Sequence, residues 1–143
     1  MATHRHPSPE VSRYCEGRGF SSLVCRGGFD YLLESWTRTV AAVEGGYWLS
    51  FDEYLNDMDS RNIIDELPTY ASDDEWAGVE TMLPPLDARF HAATRQVDAC
   101  IWGECNEEKY GYRPDRQWWY YRAPADMSRV ADRDRWAARG YGT

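Results

Sequence analysis

The sequence predicts a mainly α fold, four to five helices with a small β element, and three observations carry the prediction. Apolar residues recur at three- and four-residue intervals over much of residues 29–97. Ser50 with Glu53 and Ser72 with Glu75 have capping-box spacing, which marks two helix starts. Gly27-Gly28, Gly45-Gly46 and Pro84-Pro85 punctuate the runs between. A chain of 143 residues suits one hydrophobic core without disulfide staples, so residues 13–143 are expected to form a single globular domain.

Residues 1–12 hold His4, His6, Pro7, Ser8 and Pro9 and few apolar groups, which predicts a disordered N-terminal tail. The run Phe20 to Cys25 reads as a short strand ended by Gly27-Gly28. Phe29, Leu32, Leu33, Trp36, Val40 and Val43 then form a helical stripe that Gly45-Gly46 stops.

The helix opening at Ser50 turns Phe51, Tyr54, Leu55 and Met58 to the core and puts Asp52, Glu53, Asp57 and Asp59 mostly on its other side. Ser60 is expected to restart a short turn carrying Ile63, Ile64 and Leu67. From Ser72 a helix points Trp76, Val79, Met82 and Leu83 inward until Pro84-Pro85 break or kink it. Pro85 suits the first turn of a further helix with Leu86, Phe90 and Ala93 inside. The run Trp118-Trp119-Tyr120-Tyr121 between Pro114 and Pro124 reads as a strand covered on both faces, placed to pair with residues 20–25. Met127, Val130, Ala131 and Ala138 have the spacing of a terminal helix over 125–139.

The charge is uneven. Between Glu44 and Asp87 there are twelve carboxylates and one basic residue, Arg61, whereas both flanks are slightly basic and the whole chain carries −8. Carboxylates interleaved with helix-spaced apolar residues form one face of a folded body, which favours a binding protein over an enzyme. Lys109 is the only lysine beside fifteen arginines, the bias of a GC-rich bacterial genome.

Each chemical motif has a plainer reading. Cys15 and Cys25 are ten residues apart and Cys100 and Cys105 five, without the tight knuckle of a zinc site, so no metal is expected and the cysteines read as buried thiols. His91 with Cys100 or Cys105 would need a third, orienting group for nucleophilic work, and nothing in the spacing brings them together. Asp73-Asp74-Glu75 and Asp57/Asp59 resemble magnesium or acid/base pairs, yet acids after a cap serine suit the helix dipole alone. Residues 111–122 interleave arginine with aromatic rings, a composition suited to nucleic acid, against which the net negative charge stands. No cofactor is expected.

The leading expectation is a small acidic bacterial module of the antitoxin, immunity or nucleic-acid-mimic kind. Its acidic face would carry Asp52, Asp57, Asp59, Asp65, Asp73, Asp74 and Glu80, with Tyr47, Trp48 and Tyr70 as anchors for a basic protein partner such as a nuclease or other toxin. The alternatives are a small enzyme with a pocket between the helices and the aromatic C-terminal segment, lined by Trp102, Trp118 or Tyr120, and a non-catalytic subunit of a larger complex. With no apolar leader or membrane-length run, the expected compartment is the cytoplasm. Oligomeric state stays open.

Overall fold

The computed structural model describes residues 7–142. The fold is mainly α with a small β element. Its helices are α1 (Pro9–Arg18), α2 (Ser22–Glu44), α3 (Phe51–Glu66), α4 (Asp73–Ala93), α5 (Glu104–Tyr110) and α6 (Arg133–Ala138), and its strands are β1 (Thr94–Gln96) and β2 (Arg122–Pro124). Two short 3-10 turns, Leu67–Tyr70 and Trp118–Tyr121, connect them. Among the described residues no helix is long and apolar enough to cross a membrane.

The N-terminal expectation needs correcting for residues 9–12; residues 1–6 lie outside the described chain. Ser8 caps α1 by accepting from the Val11 amide at 3.4 Å, and Pro9 sits at the first helical position, where its missing N–H costs nothing. Val11 and Cys15 are buried. Phe20 to Cys25 form no strand, because Ser21 caps a second helix start by accepting from Val24. The backbone of Gly28 (φ 56°, ψ −140°) breaks α2 internally, and a Cβ there would stand 2.8 Å from the Pro7 ring. Beyond the break, Phe29, Leu32, Leu33, Trp36, Val40 and Val43 are all buried, as the stripe predicts.

Helix α3 runs through Ser60 without restarting; the Ser60 hydroxyl donates back to the Asn56 carbonyl at 3.3 Å and stays inside the helix. Helix α4 opens on the full capping box of Ser72 and Glu75. It then passes through Pro84-Pro85, where the sequence predicts a break or a kink, as one helix to Ala93. The carbonyls left without a donor belong to Glu80 and Thr81, both on the exposed side of the helix, where a missing amide costs least. Met82 on this helix faces solvent, 48% exposed.

The sheet also differs from expectation. Strands β1 and β2 are antiparallel, with Thr94 opposite Pro124 and Gln96 opposite Arg122. The aromatic run just before β2 is a 3-10 turn and not a strand. At three residues per turn, successive rings point about 120° apart and each meets a different wall. Trp119 lies under the Arg61 guanidinium at 4.5 Å, the Tyr120 hydroxyl reaches Asp59, and the Tyr121 hydroxyl reaches Glu107. The C-terminal segment is helical only over α6, since Asp132 takes a left-handed conformation (φ 49°) that interrupts the expected run; Met127 and Val130 are buried from irregular chain. Trp136 on α6 completes an aromatic core with Tyr47, Phe51 and Tyr54 at centroid distances of 5.9, 5.2 and 5.0 Å.

Candidate functional site

Helix α3 carries the site. At about 100° per residue, Asp57 and Asp59 point about 200° apart, so one helix presents a carboxylate to each of two clefts on its opposite sides. On the first side, Asp59, Asn62, Asp65 and Glu66 share a face, and α5 with the chain before and after it forms the facing wall: Trp102, Asn106, Tyr110, Tyr112 and Gln117. The cleft between them has a volume of about 520 Å³.

Asp59 lies at its floor. The indole Nε1 of Trp102 donates to Asp59 Oδ1 at 3.0 Å and the Tyr120 hydroxyl donates to the same oxygen at 2.8 Å. Burial raises the Asp59 carboxyl above its ordinary range, and these two donors pull it part of the way back. Glu66 sends Oε1 to Arg18 at 3.1 Å, while its Oε2 is buried without a hydrogen-bond partner among the described residues. Among the described residues Arg18 is the one cation in the wall, against three carboxylates. Tyr110 is 58% exposed and stacks beside Tyr112 with centroids 5.6 Å apart. The cleft is thus acidic at its floor and aromatic at its rim, a combination that receives a cation by charge and by ring face.

The second cleft lies between α2 and α3, about 560 Å³ in volume, with Tyr31, Arg38 and Thr39 on one side and Trp48, Asn56, Asp57 and Ser60 on the other. The Tyr47 hydroxyl donates to Asp57 Oδ2 at 2.7 Å. Burial lifts the Asp57 carboxyl to about 6, with the Tyr47 bond opposing the rise.

The residues expected to bind a partner divide accordingly. Asp59 and Asp65 come together in the first cleft, and Trp48 and Asp57 in the second. Tyr47 is fully buried and presents no surface to a partner, which corrects its placement as an exposed anchor. Asp57 and Asp59 are half-buried and held by tyrosines instead of lying on an open face. Asp52 is exposed and paired with Arg135 at 2.5 Å. Asp73, Asp74 and Glu80 lie on the surface of α4. Tyr70 is 38% exposed and stacks on Tyr14 at 4.1 Å, while Trp48 is 49% exposed, with the Arg129 guanidinium 5.8 Å from its ring centre.

Arg61, the lone basic residue of the acidic segment, is buried and serves the core. Its Nε and Nη2 donate to both oxygens of Asp87, at 3.1 and 2.9 Å, and Trp36 Nε1 donates to Asp87 Oδ1 at 3.0 Å. The arginine-aromatic run turns inward only at its end: Trp119, Tyr120 and Tyr121 are each 1% exposed and Arg122 donates to Thr94 Oγ1 and to the His91 and Thr94 carbonyls, whereas Arg113 and Arg116 are exposed. His91 packs its ring on Trp118 at 4.3 Å, and burial lowers its pKa. The four cysteines are unbridged, with Cys15 and Cys100 buried, Cys25 half-buried and Cys105 exposed. Among the described residues no group of three His, Cys, Asp or Glu side chains is arranged to hold a metal ion.

Of the facing wall of the first cleft, sequence reasoning named Trp102 as a pocket residue and missed Asn106, Tyr110, Tyr112 and Gln117. The wall's signal was the glycine pair that brackets α5, since Gly103 (φ 89°) and Gly111 (φ 69°) both need left-handed backbone and so mark the ends of a seven-residue helix. Comparison with family models, curated proteins and solved structures returned no match to this chain.

Proposed function

We propose that this protein is an acidic binding module that engages a basic protein partner through the cleft between α3 and α5. The observation that carries this reading is the cleft's composition: Asp59 and Glu66 half-buried, Asp65 exposed beside them, Tyr110 and Tyr112 on the facing wall, and Arg18 as the opposing charge. An arginine or lysine side chain of the partner would place its charge against the carboxylates and its stem between the rings. The exposed acids Asp73, Asp74 and Glu80 on α4 extend the negative field and speed encounter with a cationic surface. In this reading the protein is cytoplasmic and its partner a nuclease or another toxin, with the module acting as antitoxin, immunity protein or phosphate mimic.

A titration of isotope-labelled protein with a short arginine-rich peptide tests the reading. Shifts confined to the Trp102 indole N–H and the Asn62 and Asn106 side-chain amides, weakening steeply as salt rises, are expected. Absence of shifts, or shifts of equal size from an acidic peptide, would remove the cleft from the argument.

The raised Asp59 carboxyl at the floor of a concave polar site favours a second reading, an enzyme pocket with Asp59 as proton donor or acceptor. The two readings separate on ligand size. The enzyme reading expects a small neutral molecule to shift the same signals in a salt-independent way.

A further inference from the structure

Two of the four cysteines belong to different helices and lie on neighbouring turns. Cys15 lies near the end of α1 and Cys25 in the short first piece of α2, before the break at Gly28. The connection between them folds back tightly. The Phe20 amide donates to the Cys15 carbonyl at 3.1 Å, and the Cys25 thiol donates to the Phe20 carbonyl at 3.5 Å. Ser12, one turn before Cys15 on the same face of α1, donates its hydroxyl to the Cys25 carbonyl at 3.3 Å. These three bonds bring the turn that carries Cys25 against the face of α1 that carries Cys15.

Their environments are unequal. Cys15 is fully buried, whereas Cys25 is half-buried and open to a small reagent. Burial first, and the neighbouring Cys25 second, push the Cys15 thiol up to about 11, so Cys25 is the sulfur that meets an oxidant. We propose that Cys15 and Cys25 form a dithiol site that a hydroperoxide oxidises to an intramolecular disulfide.

The steps balance with hydrogen peroxide as oxidant. The Cys25 sulfur takes one peroxide oxygen as the O–O bond breaks, giving a sulfenic acid and one water. The Cys15 sulfur then attacks the Cys25 sulfur, the S–S bond forms, the S–O bond breaks, and the departing hydroxide leaves with the Cys15 proton as a second water. Two thiols lose two electrons and two protons, and one peroxide becomes two waters. The bridge closes a loop that contains Arg18, the cation in the wall of the first cleft, and ties α1 to the start of α2. The inference stands on the hydrogen-bonded packing of the α1–α2 turn and is independent of what the cleft binds.

Trypsin makes the test direct. Cleavage after Arg13, Arg18 and Arg26 leaves Cys15 and Cys25 in separate peptides, residues 14–18 and 19–26, joined only if a disulfide joins them. The full-length reduced protein is treated with hydrogen peroxide, its remaining thiols are alkylated, and it is digested without reductant for mass spectrometry. The expected product is the linked pair, two hydrogen atoms lighter than the two peptides together, abolished by dithiothreitol and by either Cys15→Ser or Cys25→Ser. Cys15→Ser is expected to accumulate a Cys25 sulfenic acid that dimedone traps, and Cys105→Ser to leave the linked pair unchanged. Recovery of Cys15 and Cys25 as alkylated thiols while Cys105 is oxidised would overturn the proposal. So would a bridge from either residue to Cys100 or Cys105, or between two molecules.

Discussion

Asp57 and Asp59 stand two residues apart on α3 and face opposite clefts, yet each carboxylate is held by a tyrosine hydroxyl, Tyr47 at 2.7 Å and Tyr120 at 2.8 Å. Burial raises both carboxyls. The acidity of this helix is therefore partly internal, and that has consequences for stability as well as for binding.

The Asp57 carboxyl, lifted from 3.8 to about 6, binds a proton more readily in the folded chain than in the unfolded one. Its contribution is fully present below about pH 4 and is lost as pH rises through about 6. The lowered His91 acts in the opposite direction in the same range, so the comparison must be with a variant. A tenfold difference in proton affinity between folded and unfolded chain is worth about 1.4 kcal/mol, so Asp57→Asn should gain about 2–3 kcal/mol of stability relative to the parent between about pH 4 and pH 7. Urea unfolding of both proteins at several pH values measures it, and parallel curves would refute the assignment.

Tyr47→Phe removes the donor to Asp57 without opening a cavity. With Tyr47 fully buried, the expected loss is about 1–3 kcal/mol, and the Asp57 carboxyl should rise further. Chemical denaturation reads the first effect and a carboxyl-carbon NMR titration the second.

The ion pair of Arg61 and Asp87 is the one whose removal should damage the fold most. Their side chains are 7% and 20% exposed, and Asp87 also accepts from Trp36. Asp87→Ala leaves a buried guanidinium and a buried indole N–H without their acceptor, an expected loss of about 3–5 kcal/mol. Asp52→Ala, at the exposed pair with Arg135, should cost at most about 1 kcal/mol. Equal losses in thermal or urea unfolding would contradict this ranking.

Helix α4 carries Pro84 and Pro85 in its interior. Restoring the amide with Pro84→Ala should stabilise the protein by about 1–3 kcal/mol, because the Glu80 carbonyl regains a donor and the ring clash disappears. A lowered melting temperature would mean that the prolines shape this helix in a way the fold requires.

Where a residue's surroundings are set by its own helix, the sequence is informative. The stripe from Phe29 to Val43, the Ser50 cap and the Ser72–Glu75 box depend on neighbours three and four positions away, and all appear as expected. Two helix starts with equally local signals, the Ser8 and Ser21 caps, are passed over, and the other errors fall where distant chain decides. Trp118 to Tyr121 has the composition of a strand, yet each ring is directed by a partner remote in sequence, Arg61, Asp59 or a residue of α5. Pro84-Pro85 break an isolated helix but not one packed against α2 through Trp36 and Phe90. The first cleft is half legible: the α3 carboxylates stand out in the sequence, but Trp102, Tyr110 and Tyr112 approach them only through tertiary folding.

The central claim, that the α3–α5 cleft engages a basic protein, is tested most directly by affinity capture. Tagged parent and an Asp65→Arg/Tyr110→Ala variant, which differs only at exposed positions, are compared in native lysate with nuclease, at low and high salt. The account predicts one dominant basic protein on the parent, released by high salt and absent from the variant. A partner held equally by both proteins, or none recovered by the parent, would contradict it.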